Sequence, residues 1–340
     1  MSGSTGEIVW VVLGSALLSA ALVVLLRPVL IRFASVYPNV RSSHRSPTPQ
    51  GGGIAVIAAT IMGLILVNRF GSIPTNSTIQ LVGLLFSAVG LAIVGTADDL
   101  RPIAALPRLF FQIILVFAVV ATLPIELRII PTLPWAVERF LILLGLLWFI
   151  NLTNFMDGID WMTVAEFLPI TGGLIVAGLL DALPAPGLAL SATLCGAVIG
   201  FAPFNRPAAS LFLGDVGSLS LGLVLGWLLV LLASAGHLTA ALLMPLYYLA
   251  DATITLARRA INGEPLMVAH RGHFYQRAVD RGVNVLRVVG LVFLANFALV
   301  ALSLFAILIP GSLIRALTTL LAIFLVGGLL FFFEKGPIRP

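Results

Sequence analysis

Eleven apolar runs follow one another along the 340-residue chain, at 8–26, 51–68, 79–95, 109–124, 140–155, 167–181, 188–203, 216–233, 239–256, 288–309 and 314–333, with short polar stretches between them. Most approach the roughly 20 residues that an α-helix needs to cross a hydrocarbon core. In lipid every backbone N–H and C=O has to find a partner inside the chain, so runs of this kind cross as helices. The expected fold is an all-α polytopic membrane protein of about eleven transmembrane helices, one domain over 1–340. Composition agrees, with 60% of residues apolar and 10% charged, where soluble proteins average about a quarter charged. The weakest run is 167–181, which carries Pro169, Gly172 and Gly173. Run 8–26 follows no basic segment and is too long for a cleaved signal, so it reads as a retained span.

Charge placement gives the orientation. If all eleven runs span, one set of alternate loops with the C-terminus carries fifteen of the Arg and Lys residues and the other set four. Positive residues stay on the cytoplasmic side, so the N-terminus is expected in the periplasm and the C-terminus in the cytoplasm. The same parity puts Asp98, Asp99, Asp157, Asp160, Asp215 and Asp280 on the cytoplasmic face. The net charge of +5 comes from scattered arginines rather than a basic patch, which argues against a nucleic-acid surface. The single Cys195 excludes an internal disulfide and a zinc–thiolate cluster. Lys335 is the only lysine and follows Glu334, so there is no Walker A loop; His-Glu-x-x-His and Gly-x-Gly-x-x-Gly are also missing.

Five loops on the cytoplasmic side hold the unusual polar residues: 27–50, 96–107, 151–166, 204–215 and 257–287. Adjacent Asp98 and Asp99 raise each other's pKa unless a cation intervenes, and Mg²⁺ suits one or two carboxylates plus substrate phosphates. Asn151, Asn154, Asp157 and Asp160 recur every three residues at the end of an apolar run, near one helical face. Asp215, between Gly214 and Gly217, reads either as a metal ligand or as the N-cap of the following helix. If the late loop is helical, His270, His273, Arg277 and Arg281 form a cationic stripe suited to diphosphate oxygens. Gly51, Gly52 and Gly53, at the start of a helix, would offer backbone amides to an anion. Gly196-x-x-x-Gly200 and Gly222-x-x-x-Gly226 read as helix-packing faces. Asp251 lies inside a run with no assignable task.

Five motifs in order resemble the polyprenyl-phosphate N-acetylhexosamine-1-phosphate transferases. They are Pro38-Asn39-x-Arg41…His44…Pro47-x-Pro49 leading to Gly51-Gly52-Gly53, the Asp98-Asp99 pair, Asn151 to Asp160, Gly214-Asp215-x-Gly217-Ser218, and His270 to Arg277. The resemblance implies ten or eleven spans in a bacterial inner membrane, with a cytoplasmic active site. It implies Mg²⁺-dependent transfer of a sugar 1-phosphate from a UDP-sugar to a polyprenyl phosphate, here undecaprenyl phosphate, with release of UMP; Mn²⁺ is the alternative metal. Asp98 then resembles the base or the acid on the lipid-phosphate side, and Asp99 its metal-site neighbour. Asp215 resembles a metal ligand. Asn151, Asn154, Asp157 and Asp160 resemble nucleotide-side contacts. His270, Arg271, His273 and Arg277 resemble the donor-phosphate and sugar loop, and Arg41 and His44 the polar pair of the first loop. The Arg-Ser-Ser-His wording is nearer the O-antigen-initiating branch. A homodimer is left open. Val36 departs from the family, standing where an Asp is usual. The competing reading is a secondary transporter or lipid-phosphate flippase, which would keep ionisable groups near mid-membrane and show inverted repeats.

Overall fold

A computed structural model describes residues 5–36, 47–69, 78–268 and 270–336. Arg41 and His44 lie outside the described residues. The chain is a helical membrane protein: α1 Thr5–Phe33, α2 Gly53–Arg69, α3 Thr78–Leu100, α4 Ala105–Thr122, α5 Trp135–Met156, α6 Met162–Leu179, α7 Ala185–Phe201, α8 Asp215–Leu232, α9 Leu238–Leu243, α10 Leu246–Ile261, α11 Phe274–Asp280, α12 Val285–Leu308 and α13 Ser312–Lys335. A two-stranded antiparallel ribbon, β1 Ser35–Val36 and β2 Thr48–Pro49, ties the two ends of the first loop together.

All eleven apolar runs fold as helix, and nine helices among the described residues are long and apolar enough to cross a membrane. Two runs depart from expectation. α2 has 17 residues. Run 239–256 is two helices, α9 and α10, with a break at Met244 and Pro245, because proline lacks the N–H that a continuous ladder needs. The run expected to be weakest forms α6 intact, with Pro169 inside it.

Burial sorts the helices. Every residue of α8 from Val216 to Leu232 except Val230 is buried, as a helix apolar on all sides requires. Glycines set how close its neighbours come. A Cβ on Gly222 would lie 3.0 Å from Ile150 Cα on α5, and one on Gly226 3.0 Å from Leu146. On α7, a Cβ on Gly196 would lie 2.2 Å from Val12 O, and one on Gly200 2.1 Å from Ala16 O, so both glycines admit the backbone of α1. These are the two packing faces expected from the spacing. In contrast, α1 and α13 leave wide apolar faces outward, including Trp10, Leu17, Phe324 and Phe331.

At one end of the bundle the loops knot around the start of α8. A Cβ on Gly53 would lie 2.1 Å from Gly217 Cα, and one on Gly95 2.5 Å from the Asp215 carbonyl, so α2 and α3 reach α8 backbone to backbone. The amides of Gly52 and Gly53 are therefore not open to an anion, contrary to expectation. Gly52 N–H donates to Phe212 O at 2.9 Å and Gly53 N–H to Leu213 O at 2.8 Å, while Phe212 N–H donates to Pro49 O at 2.9 Å. At the opposite end, Glu138 is buried and accepts from Ile129 and Ile130 N–H at 2.6 Å each. It also pairs with Arg128. Arg139 caps Pro124 and Leu127 carbonyls.

Candidate active site

The end of the bundle where α3 and α5 finish and α4, α6 and α8 begin carries a cavity of about 250 Å³. Asp99, Asn154, Asp157, Asp160 and Asp215 line it, with Gln50, Asn205 and Ser218. Three distant stretches of chain thus deliver carboxylates to one place.

Asp99, in the last turn of α3, accepts from the backbone N–H of Asp215 at 2.9 Å and of Val216 at 3.2 Å. It caps α8 from outside that helix, satisfying two of the donors that every helix start leaves open. Gly214 at φ +78° makes room, since a Cβ there would lie 2.5 Å from Asp99 Oδ2. Asp215 is the first residue of α8 rather than its cap. Its Oδ1 accepts from Asn154 Nδ2 at 2.8 Å, and its Oδ2 from Arg108 Nη1 at 3.2 Å. Asn154 Nδ2 also reaches Ser218 Oγ at 2.9 Å. Asp98 Oδ2 takes the same Arg108 nitrogen at 2.6 Å, and its Oδ1 takes Ile103 N–H at 2.6 Å. Arg108 therefore bridges Asp98 to Asp215.

Asp157 follows the last turn of α5. Its Oδ1 accepts from the Thr163 hydroxyl at 2.5 Å. Burial, added to the charges of Asp215, Asp99 and Asp160, pushes its pKa up to about 8 despite the Thr163 bond. Asp160 Oδ2 accepts from Ala209 N–H at 3.0 Å, and the next residue, Trp161, holds a left-handed backbone (φ 65°). Asn205 Oδ1 fixes that turn by accepting Trp161 N–H at 2.9 Å.

The late loop is not the expected stripe. The helix α11 begins only at Phe274, after Gly272 and the N-cap His273, so His270 and Arg271 lie off its axis. Arg277 turns to Glu334 of α13, at 2.9 and 3.2 Å, and Arg271 pairs with Asp280 at 2.7 Å. His270 and His273 stack with centroids 5.0 Å apart. Burial, with His273 and Arg259 nearby, pulls the His270 pKa down to about 4, so its ring is neutral at neutral pH. The start of α11 docks on the Asp157 turn: Tyr275 hydroxyl donates to Phe155 O at 3.1 Å, and a Cβ on Gly158 would lie 2.2 Å from that hydroxyl. Asn151 does not line the cavity; its Nδ2 donates to Gln112 Oε1 at 2.8 Å.

Sequence reasoning missed Arg108, Gln50, Asn205 and Thr163. Only Arg108 left a signal, as a cation one short loop after the aspartate pair on the same face. Among the described residues no three carboxylate, imidazole or thiol groups converge as a ready-made metal cage. The donor set still suits Mg²⁺, which takes one or two carboxylates and completes its shell with water and phosphate. Arg108 bridges only two of the carboxylates here, Asp98 and Asp215, and Asp157 Oδ2 has no hydrogen-bond partner among the described residues.

Residues 81–233, from α3 through α8, match the family described as "Glycosyl transferase family 4". Over that segment the chain is similar to members of the family. It is 29% identical over 305 residues to the decaprenyl-phosphate N-acetylglucosaminephosphotransferase of Mycolicibacterium smegmatis, covering 79% of this chain and 74% of that one. The enzyme of the same description from Mycobacterium tuberculosis is 27% identical over 299 residues, 77% of this chain and 72% of that one. A phospho-N-acetylmuramoyl-pentapeptide-transferase of Oleidesulfovibrio alaskensis is 30% identical over 221 residues, 55% of this chain and 60% of that one. The matched family segment brings Asp98, Asp99, Arg108, Asn154, Asp157, Asp160 and Asp215 together; the late loop lies outside it.

Proposed function

We propose that this protein transfers a sugar 1-phosphate from a UDP-sugar to a polyprenyl phosphate. The convergence of Asp99, Asn154, Asp157 and Asp215 on one cavity at the end of an apolar bundle, with Arg108 bridging Asp98 to Asp215, carries the reading, together with relatives whose names specify polyprenyl-phosphate phosphotransferases. An oxygen of the acceptor phosphate attacks the sugar-bearing phosphorus of the donor. The bond from that phosphorus to the bridging oxygen breaks, and UMP leaves with the electron pair. Both substrates are anions, so the protein's task is positioning and charge stabilisation more than covalent chemistry.

Asp98 stands on the acceptor side and takes the proton of a protonated acceptor phosphate, its orientation held by Ile103 N–H and Arg108. Arg108 offers its guanidinium to phosphate oxygens, releasing one carboxylate as it does so. Asp215 and Asp99 hold the divalent cation, with Asn154 fixing the Asp215 rotamer. Bound Mg²⁺ supplies charge neutralisation for the diphosphate. Asp157, Asp160 and Asn205 face the nucleotide. The bundle end lies on the cytoplasmic side of a bacterial inner membrane, with eleven crossings and the N-terminus in the periplasm. There a lipid tail stays between helices while UDP stays in water. The donor is a UDP-N-acetylhexosamine, of the N-acetylglucosamine type or a 6-deoxy derivative, and the acceptor undecaprenyl phosphate, in the first step of O-antigen or another envelope polysaccharide. Membranes containing the protein, given labelled donor, undecaprenyl phosphate and Mg²⁺, should release UMP. Absence of UMP across a panel of UDP-N-acetylhexosamines would refute the assignment.

A further inference from the structure

Asp251, on α10, is the one fully buried aspartate side chain among the described residues, 0% exposed. Carboxylates in such places are expensive and mark function or a specific partner. Five donors converge on it. Oδ1 takes Thr255 hydroxyl at 3.3 Å, Phe274 N–H at 3.1 Å and His273 Nδ1 at 3.2 Å. Oδ2 takes Tyr247 hydroxyl at 3.1 Å and Tyr275 N–H at 3.3 Å. Tyr247 and Thr255 flank Asp251 by one turn on the buried face of α10, so the acceptor is aimed before α11 arrives.

Two of those partners are backbone N–H groups, which can only donate. They are the first amides of α11, so Asp251 caps that helix from α10 as Asp99 caps α8 from α3. The third contact concerns chemistry. A carboxylate facing a ring nitrogen calls for a proton on that nitrogen, and in a neutral ring the other nitrogen is then the bare one. The ring is clamped as well: His270 stacks on it at 5.0 Å, Tyr275 lies at 5.9 Å and Phe155 at 6.3 Å. Phe155 belongs to the α5 turn that ends in Asp157.

We infer that Asp251 is a positioning residue, holding His273 with its proton on Nδ1 and presenting a bare Nε2 as a hydrogen-bond acceptor at the edge of the active site, while anchoring α11 on the Asp157 turn. The role of that Nε2 toward the donor rests on the function proposed above; the ring's protonation does not. Carboxylate partners of this kind orient metal-bound imidazoles in other sites, where losing one costs about ten- to a hundredfold.

The test uses the full chain in nanodiscs with ¹⁵N-labelled histidine rings. There are four histidines, and His273→Gln identifies the relevant pair of signals. The wild type should show His273 Nδ1 protonated and Nε2 bare. Asp251→Asn should give mixed tautomers and lower kcat/KM for the UDP-sugar by about ten- to a hundredfold, with KM for the lipid acceptor unchanged; Asp251→Glu should recover part of both. The double variant Tyr247→Phe/Thr255→Val strips the other side-chain donors and should keep the wild-type tautomer and donor kcat/KM. A wild-type ring protonated at Nε2 overturns the inference even if no turnover is ever found, and so does an Asp251→Asn protein with an unchanged tautomer. If Asp251→Asn does not fold, the wild-type spectrum decides alone.

Discussion

Replacing Asp157 by Asn isolates the electrostatic load on the site. The amide is nearly isosteric and keeps an oxygen for the Thr163 hydroxyl, which now approaches Asp157 Oδ1 at 2.5 Å. What disappears is a carboxyl that burial and three neighbouring aspartates hold protonated up to about pH 8. In the unfolded chain the same group ionises near its ordinary value of 3.8. Between those values the unfolded state binds fewer protons than the folded one, so wild-type stability falls as pH rises through the window. At about 1.4 kcal/mol per pH unit the interval amounts to on the order of 5 kcal/mol. Contact with the cavity makes that an upper figure. The variant carries no such load. Thermal unfolding in EDTA, followed by tryptophan fluorescence in nanodiscs, should give equal midpoints for the two proteins near pH 4. By pH 8 the variant should lead by several degrees, since about 1 kcal/mol moves a midpoint by roughly 2–4 °C in proteins of 150–250 residues. Mg²⁺ at pH 8 should narrow the gap by stabilising the wild type. A difference that stays flat from pH 4 to 8 would refute the reasoning, because it would mean that neither burial nor the neighbouring aspartates raise the Asp157 pKa.

Other outcomes follow from the same geometry. Arg108→Gln should lower kcat/KM by roughly 10²-fold or more in a UMP-release assay, with Arg108→Lys intermediate because one charge survives without the fork. EDTA should abolish turnover and Mg²⁺ restore it; full activity after chelation would exclude the metal role of Asp215. Gly53→Ala places a methyl 2.1 Å from Gly217 Cα, so it should cost at least about 1–3 kcal/mol, read as a lower melting midpoint. In a Cys195→Ala background, Glu264→Cys should react with an impermeant maleimide only from the cytoplasmic face, and Ser312→Cys only from the periplasmic face.

The helices were legible because lipid leaves the backbone one solution and hydropathy reports it directly. The Gly196 and Gly222 pairs were legible for the same reason, since small residues four apart have one common use in packed helices. The Asp98-Asp99 pair, Asn154, Asp157, Asp160 and Asp215 could be picked out as polar residues at apolar run ends, where burial makes them costly. What each one touches could not. Asp99 reads as a second copy of Asp98, yet it bonds to amides more than a hundred residues away, and only tertiary structure shows that. Gly51, Gly52 and Gly53 carry a phosphate-loop appearance, but Gly52 and Gly53 spend their amides on Phe212 and Leu213 carbonyls, and Gly53 packs on α8 at Gly217. Arg108 was hidden among arginines that merely follow the positive-inside pattern. Arg277 fits a helical stripe on paper, but Glu334 at the far end of the sequence draws it off. The assignment of Asp251 needed the start of α11, a seven-residue helix too short to announce itself by periodicity.

The most direct measurement follows the phosphorus atoms. Membranes carrying the protein are given UDP-N-acetylglucosamine labelled with ³²P either at the sugar-bearing phosphate or at the uridine-bearing phosphate, with undecaprenyl phosphate and Mg²⁺. Sugar 1-phosphate transfer puts the first label in the lipid fraction and the second in released UMP, and Asp215→Asn removes both signals. Label from the sugar-bearing phosphate appearing in UDP, with only the sugar reaching lipid, would contradict phosphoryl transfer at this carboxylate site.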